Sequence, residues 1–408
     1  MKKRILSLLL ALIIASACVV EAWMIRALRV DNEQLKEQVS ILEKQSTEMQ
    51  AQLEDTSNAL VGKLTEVKVH AFVPKDLYVA QGLTLEVYNN TVISGVNLDN
   101  YDVYWDCQIG DCMSDKFHVY ATEENVGDYP LTMHLFDLSE NEILTVSSTL
   151  HVVQDMLANG SEEEVTMVTI GDSLSAGTHW LEYTRQKSGE RLTHLGTMGE
   201  EGVAYEAIPG ITPAEMLTGT SAGLDSPNSF TNPATGSFDW AYYKEQTGYE
   251  PKFVQVFLGT NGLAQDPANS VSDISNIVEQ IHSVDPDVRI LVTEPIFCSY
   301  QDGFAMMQNN PKYVGFHGTW ALGRAHMIGA LAEALDKEFR GKPYVTLIPA
   351  SVSFDRVNGF EGVELAVNPH SDIGVMYPSQ GVHPSDDGYD QIGDVIYSVL
   401  CYRLAKGD

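Results

Sequence analysis

The sequence predicts an α/β fold over residues 165–408, a parallel sheet with helices on both faces, preceded by a small all-β sandwich and an N-terminal helical anchor and stalk. Three observations predict it. Apolar runs Val165 to Ile170, Phe253 to Leu258, Val288 to Val292 and Tyr344 to Ile348 alternate with helical periodicity near Ser272 to Ser283 and Ala321 to Phe339. Strand and helix in alternation build crossover-connected parallel strands. Before residue 165, period-two runs such as Leu83 to Tyr88 and Phe117 to Tyr120 predict short strands. Ahead of those, a positive cluster is followed by an uncharged run and then by a heptad pattern.

A chain of 408 residues exceeds one ordinary core, so two folded domains and an elongated part are expected. Its 25 basic and 56 acidic residues give a formal charge of -31, which repels nucleic acid and offers anionic headgroups no attraction. Five cysteines are too few for a disulfide scaffold, and none shows metal-ligand spacing with nearby histidines. No metal is expected. Cys107 and Cys112 could close a small loop in an oxidising compartment, whereas Cys298 and Cys401 read either as a second pair or as buried thiols.

Residues 1–24 read as a signal anchor. Met1-Lys2-Lys3-Arg4 precedes an uncharged run from Ile5 to Val20 that continues to Trp23. As a helix, Ile5 to Trp23 spans ~28 Å at ~1.5 Å per residue, close to the ~30 Å hydrocarbon thickness. The positive residues place the start in the cytoplasm and the remainder outside the cell membrane. Cleavage after Ala15-Ser16-Ala17, or lipidation of Cys18, are the other readings, and all three export the chain. An alanine three residues before Cys18, where lipoprotein signals carry leucine, favours the uncleaved single-pass anchor. Residues 25–66 read as a coiled-coil stalk, with Leu28, Leu35, Leu42 and Met49 on a heptad seam and Val39, Leu53 and Leu60 offset by four. This predicts a parallel homodimer; a single solvated helix or spacer is the other reading.

Residues 67–155 read as an antiparallel sandwich, closed by Tyr129 to Phe136 and Ile143 to Val153, with turns at Asn89-Asn90, Asn97 to Asn100 and Gly127-Asp128. The pattern resembles the immunoglobulin-like modules of bacterial surface proteins, with Trp105 beside Cys107 as candidate core. Residues 156–164 are polar and aperiodic, a linker. In the domain of residues 165–408, Tyr389 to Leu404 reads as the closing helix.

Three segments carry chemistry. Gly171-Asp172-Ser173-Leu174 ends the first strand ahead of a helical stretch to about Arg185, so Ser173 is expected in the first helical turn. There it is either a nucleophile aided by unpaired amides or an ordinary helix cap. Phe257-Leu258-Gly259-Thr260-Asn261 ends another strand on the same crevice. The Asn261 amide is a candidate oxyanion donor or a turn residue. In Gly381-Val382-His383-Pro384-Ser385, the proline holds His383 extended on a loop, where an imidazole can serve as base. His179, His194, His317, His326 and His370 read as structural or surface residues.

In this order and spacing, over Val165 to Asp408, these blocks resemble the SGNH hydrolases, the GDSL-type esterases. The resemblance implies a flavodoxin-like three-layer sheet, Ser173 as nucleophile and His383 as base. It implies an oxyanion hole from the Ser173 and Gly210 amides and the Asn261 side chain, with Gly210 in the glycine block Glu206 to Thr212. No cofactor is implied. Where the family carries aspartate three residues before the histidine, this chain has Gln380, which can orient the ring but supplies no charge. A main-chain carbonyl, Asp372, Asp386 or Glu294 are the other candidates for that role. Gly262 also departs from an aspartate frequent in relatives.

The expected activity is an extracytoplasmic serine esterase that removes small acyl groups, O-acetyl above all, from a polysaccharide or acylated small molecule. A lysophospholipase or thioesterase for longer chains is the alternative enzyme. It needs an apolar groove, which polar Thr218 to Gly236 does not advertise, although Phe230 and Trp240 could line one. A degenerate domain serving as a surface binding module is the non-enzymatic alternative, and Gln380 is its support.

Overall fold

The computed structural model describes residue 44 and residues 69–94, 96–160, 164–219, 228–262, 267–299, 319–378 and 381–407. The expected anchor and, apart from Lys44, the expected stalk lie outside the described residues, as do Gln380 and His317. Among the described residues, no helix is long and apolar enough to cross a membrane. The chain divides into two compact units, Met1–Lys68 and Val69–Asp408.

Besides a two-residue pair of His70–Ala71 with Ile93–Ser94, the second unit opens with seven strands: β1 (Asp76–Ala80), β2 (Thr84–Tyr88), β3 (Tyr101–Asp106), β4 (Asp111–Cys112), β5 (Lys116–Tyr120), β6 (Gly127–Asp137) and β7 (Glu142–Val153). They form a four-stranded sheet, β1-β7-β6-β3, and a three-stranded sheet, β2-β5-β4. Alternation sorts the faces: Leu131, Met133 and Leu135 of β6 are fully buried, with Thr132 and His134 between them partly exposed. Trp105 is core, as its sequence setting suggests, and its indole N–H donates to Asn89 Oδ1 at 2.8 Å. One pairing departs from the antiparallel expectation. β1 runs parallel to β7, with Asp76 opposite Thr149. After Ala80 the chain turns through Gly82, at φ +85, and crosses to the other sheet, leaving β1 without a hairpin partner.

The parallel sheet follows: β8 (Val165–Gly171), α1 (His179–Lys187), β9 (Leu192–Leu195), β10 (Glu206–Ala207), α2 (Pro213–Thr218), α3 (Trp240–Thr247), β11 (Phe253–Phe257), α4 (Pro267–Val284), β12 (Arg289–Thr293), α5 (Thr319–Phe339), β13 (Val345–Ile348), the hairpin β14 (Gly362–Ala366) and β15 (Gly374–Pro378), and α6 (Asp386–Ala405). Strand order is β9-β8-β11-β12-β13, with β10 beside β8 beyond the end of β9. Every pairing in this sheet is parallel. Successive strand residues face opposite sides. Phe253, Phe257 and Leu291 join the apolar cluster of α1 and α6, and Val254, Val256, Ile290 and Val292 join that of α4 and α5.

The cluster around α6 is continuous with the core of the β-module, taking in Leu77, Val79, Leu85 and Phe117. Polar ties cross the same boundary: Ala80 N donates to Ser398 Oγ at 3.0 Å and Tyr397 OH to Asp155 Oδ1 at 2.7 Å. None of Cys107, Cys112, Cys298 and Cys401 is in a disulfide, and the last two are buried thiols. Phe230 and Trp240 pack with Phe238 and Tyr243 in the core, so they line no groove.

His151 lies at this junction, 2.6 Å from Asp128 Oδ1 and 3.1 Å from Asp76 Oδ1, stacked on Tyr78 and near Tyr402. Burial disfavours its charged form, but the hydrogen bonds to Asp76 and Asp128 prevail and raise its pKa. A raised histidine stabilises fully below the unfolded value near 6.5 and loses that contribution as pH climbs through the folded value. His151→Gln therefore lowers the melting temperature by several degrees at pH 6 and by less at pH 9, as thermal melts at both pH values will register.

Candidate active site

Strands β8 and β11 are adjacent and parallel, with Gly171 opposite Phe257, so both release their chains at the same sheet edge. On leaving β8 the chain folds on Asp172. The Asp172 carbonyl accepts from Ser175 N and Ala176 N, both at 3.1 Å, and its Oδ1 accepts from Leu174 N at 3.0 Å. Gly171 leaves room for this turn, because a Cβ there would lie 2.7 Å from Ser175 Oγ. Ser173 sits on the turn, half-buried. Helix α1 begins only at His179, after Gly177 at φ +117, so the sequence expectation of Ser173 in a first helical turn is corrected. Its neighbours are the amides of a side-chain-capped turn.

His383 arrives on a loop held from several directions. Ser299 N donates to Gly381 O at 3.1 Å, Phe360 bridges Pro384, and Ser385 N donates to Gly359 O at 3.0 Å. Ser385 then caps α6, its Oγ accepting from Gly388 N. The loop sets His383 Nε2 2.9 Å from Ser173 Oγ, although 210 positions separate the two residues. Burial, and then the charge of nearby His179, lower the His383 pKa below its usual value, which favours the free base. His179 itself stacks on Tyr389 at 4.2 Å and lies 3.9 Å from exposed Asp386. Sequence reasoning had placed it among the bystanders.

Gly210 occupies a Pro-Gly turn. Ile208 N donates to Gly171 O and Ile211 N to Ile208 O, with Gly210 at φ +84, the geometry of a type II turn. The turn's own bond uses the Ile211 amide and not that of Gly210. Just upstream, Glu206 is buried and its carboxylate accepts from Thr197 N, Thr197 Oγ, Ser229 Oγ and Tyr243 OH. Asn261 leaves β11 beside these groups, its Nδ2 donating to Asp172 Oδ2 at 3.2 Å. A Cβ on Gly262 would lie 3.2 Å from Thr212 Cγ2, so the Asn261 loop leans on the segment after Gly210. Ser173 and His383 thus meet directly, while the Asn261 and Gly210 segments are tied to the Ser173 turn through Asp172 and Gly171.

Of the acids considered for orienting His383, Glu294 is fully buried and its Oε2 accepts from Ser351 Oγ at 2.5 Å. Its Oε1 has no partner among the described residues, and burial pushes its pKa up to about 8, so it is chiefly neutral at pH 7. Asp386 is exposed toward His179, and Asp372 lies on the exposed tip of the β14–β15 hairpin with His370. His194 is structural, buried against Thr184 Oγ1 at 3.0 Å, with burial lowering its pKa to about 3. Among the described residues, no cluster of three or more histidines, cysteines or carboxylates could hold a metal.

No family model and no curated protein matches the chain. Solved structures do. A carbohydrate esterase family 3 from Talaromyces cellulolyticus is 16% identical, with a TM-score of 0.38, over 60% of this chain and 99% of its own. A Clostridium thermocellum family 3 carbohydrate esterase is 15% identical, with a TM-score of 0.36, over 60% and 100%. A Corynascus thermopiles carbohydrate esterase family 2 enzyme plus carbohydrate binding domain is 12% identical, with a TM-score of 0.33, over 83% and 99%.

The glycines differ in what they tolerate. At Gly259, φ is +119 and a Cβ would lie 2.9 Å from Leu331 Cδ2, whereas at Gly210 the space is open and only the positive φ resists. Gly259→Ala is expected to destabilise by more than the ~1 kcal/mol typical of an alanine forced into positive φ, and Gly210→Ala by about that amount, read from urea unfolding. For Glu294, a raised carboxyl stabilises fully below its unfolded value near 4.5 and loses the contribution as pH climbs through about 8. Stability should therefore fall from pH 6 to pH 9, and calorimetry should show a shallower fall for Glu294→Gln.

Proposed function

We propose that this chain is a serine esterase acting outside the cytoplasm on small acyl esters, O-acetyl groups on a carbohydrate above all. The observation that carries the reading is the 2.9 Å approach of Ser173 Oγ and His383 Nε2, at a sheet edge that also gathers the Gly210 turn and the Asn261 amide. In this reading His383 takes the proton as Ser173 Oγ attacks the acyl carbon. The oxyanion meets the amides of Ser173 and Gly210 and the side chain of Asn261, each such donor worth ~3 kcal/mol in the transition state. Collapse expels the alcohol and leaves an acyl-Ser173, which water activated by His383 then hydrolyses. Gln380 stands where a charged orienter is usual, so the imidazolium is stabilised less and Gln380→Asp should raise kcat. No cofactor enters.

The same proposal reads residues 1–24 as a membrane anchor, 25–66 as a dimeric stalk and 67–155 as an immunoglobulin-like spacer. Together they would carry the site out to a polymer. A second reading, longer acyl chains, is favoured by the hairpin of β14 and β15, where Val363, Leu365 and Ile373 are more than half exposed. This hairpin lies between Phe360 and Gly381, the two anchors of the His383 loop.

Turnover of a short-chain aryl acetate and acetate release from acetylated xylan test the reading against Ser173→Ala, which should lose ~10⁴-fold or more. Equal turnover by the two proteins would remove it, and a preference for octanoyl over acetyl esters would select the second reading. Because burial and His179 lower the His383 pKa, the step in kcat/KM that belongs to His383 should have its midpoint below ~6.5.

A further inference from the structure

Asp172 has no exposed surface, yet both of its carboxylate oxygens are engaged, one by Leu174 N at 3.0 Å and one by Asn261 Nδ2 at 3.2 Å. These two donors flank the candidate reaction centre from different strands. Leu174 follows the nucleophile, and Asn261 lies on the loop that leaves β11. An ionised carboxylate accepts only, so the atom of Asn261 facing it must be nitrogen. One N–H of the amide is then consumed by Asp172, and the other is fixed in direction. Without that partner the amide could turn over and present its oxygen to a developing negative charge. The same carboxylate pins the Ser173 turn from within, through the amide of the next residue.

We infer that Asp172 is a positioning residue for the oxyanion hole, fixing the direction of the Asn261 amide and the conformation of the turn that carries the Ser173 amide. The inference rests on the esterase reading above and deepens it. It also has a proton in it. Burial pushes the Asp172 carboxyl up to about 7, against the hydrogen bonds from Leu174 and Asn261. When protonated, the group can donate to the Asn261 carbonyl oxygen, which turns the amide the wrong way for catalysis. Asn261 is thus correctly presented above about 7 and increasingly misdirected below it.

The test is a double-mutant cycle on the full chain with a short-chain aryl acetate, using wild type, Asp172→Asn, Asn261→Ala and the double variant. Removal of an oxyanion donor costs ~10²–10³ in kcat, so Asp172→Asn should lower kcat by ~10–100-fold with KM little changed. In the Asn261→Ala background it should cost only a few-fold, the share that belongs to the Ser173 turn, since there is no Asn261 amide left to orient. The pH profile supplies a second readout that needs no Asp172 variant: an ascending step near 7 in wild-type kcat should vanish in Asn261→Ala while the lower His383 step remains.

Fully additive losses, or a step near 7 that survives in Asn261→Ala, would overturn the inference and leave the esterase reading standing. A wild-type chain inert toward both the aryl ester and a fluorophosphonate probe would remove that reading and this inference together.

Discussion

The register of β8 against β11 is the constraint from which the site follows. Pairing Gly171 with Phe257 in parallel sends both strand ends out of the same sheet edge, one into Asp172-Ser173 and the other toward Asn261. A parallel sheet buried on both faces can be held to one register because each strand presents apolar residues to two different cores. Met167 and Phe253 face one cluster, and Val168 and Val254 face the other. A slip of one residue would turn every side chain to the wrong layer and separate the two loops. Precision at the site is thus maintained by large apolar side chains several residues away from it.

Much of this was legible in the residues, and what was not has a physical cause. Short apolar runs such as Phe253 to Leu258 announce buried strands because they are too brief for a helix and rich in β-branched and aromatic residues. His383 was legible because Pro384 restricts its backbone whatever the tertiary context. The turn at Ser173 was not, because Asp172 can cap a helix or fold back on its own chain, and only the proximity of Asn261 decides. The parallel β1–β7 pair was equally hidden, since strand periodicity specifies faces and not neighbours. His179 gave no local signal. It matters through the position of α1 beside the His383 loop, which no short window contains.

The buried acids show how the chain lives with a formal charge of -31. Among the described residues most carboxylates are left to solvent, and those drawn inside are handled individually. Burial raises the pKa of Glu206, Glu294 and Asp172 alike, but Glu206 is met by four donors, Asp172 by two, and Glu294 by Ser351. An ionised group deep in an apolar layer is costly unless partners replace its water, and a carboxyl can escape that cost by keeping its proton. Acidic and alkaline conditions therefore act on different parts of this fold.

Helix α6 begins with the cap that follows His383 and ends against the β-module, where Ser398 receives the Ala80 amide and Tyr397 reaches Asp155. One rigid rod therefore joins the imidazole's loop to a sheet that contributes no reacting group. A fragment beginning at residue 165 would bare the module side of α6, where Ser398 meets Ala80 and Tyr402 packs 4.7 Å from Tyr78. The β-module is thus a structural wall of the parallel-sheet half, and the boundary between them is a poor place to cut.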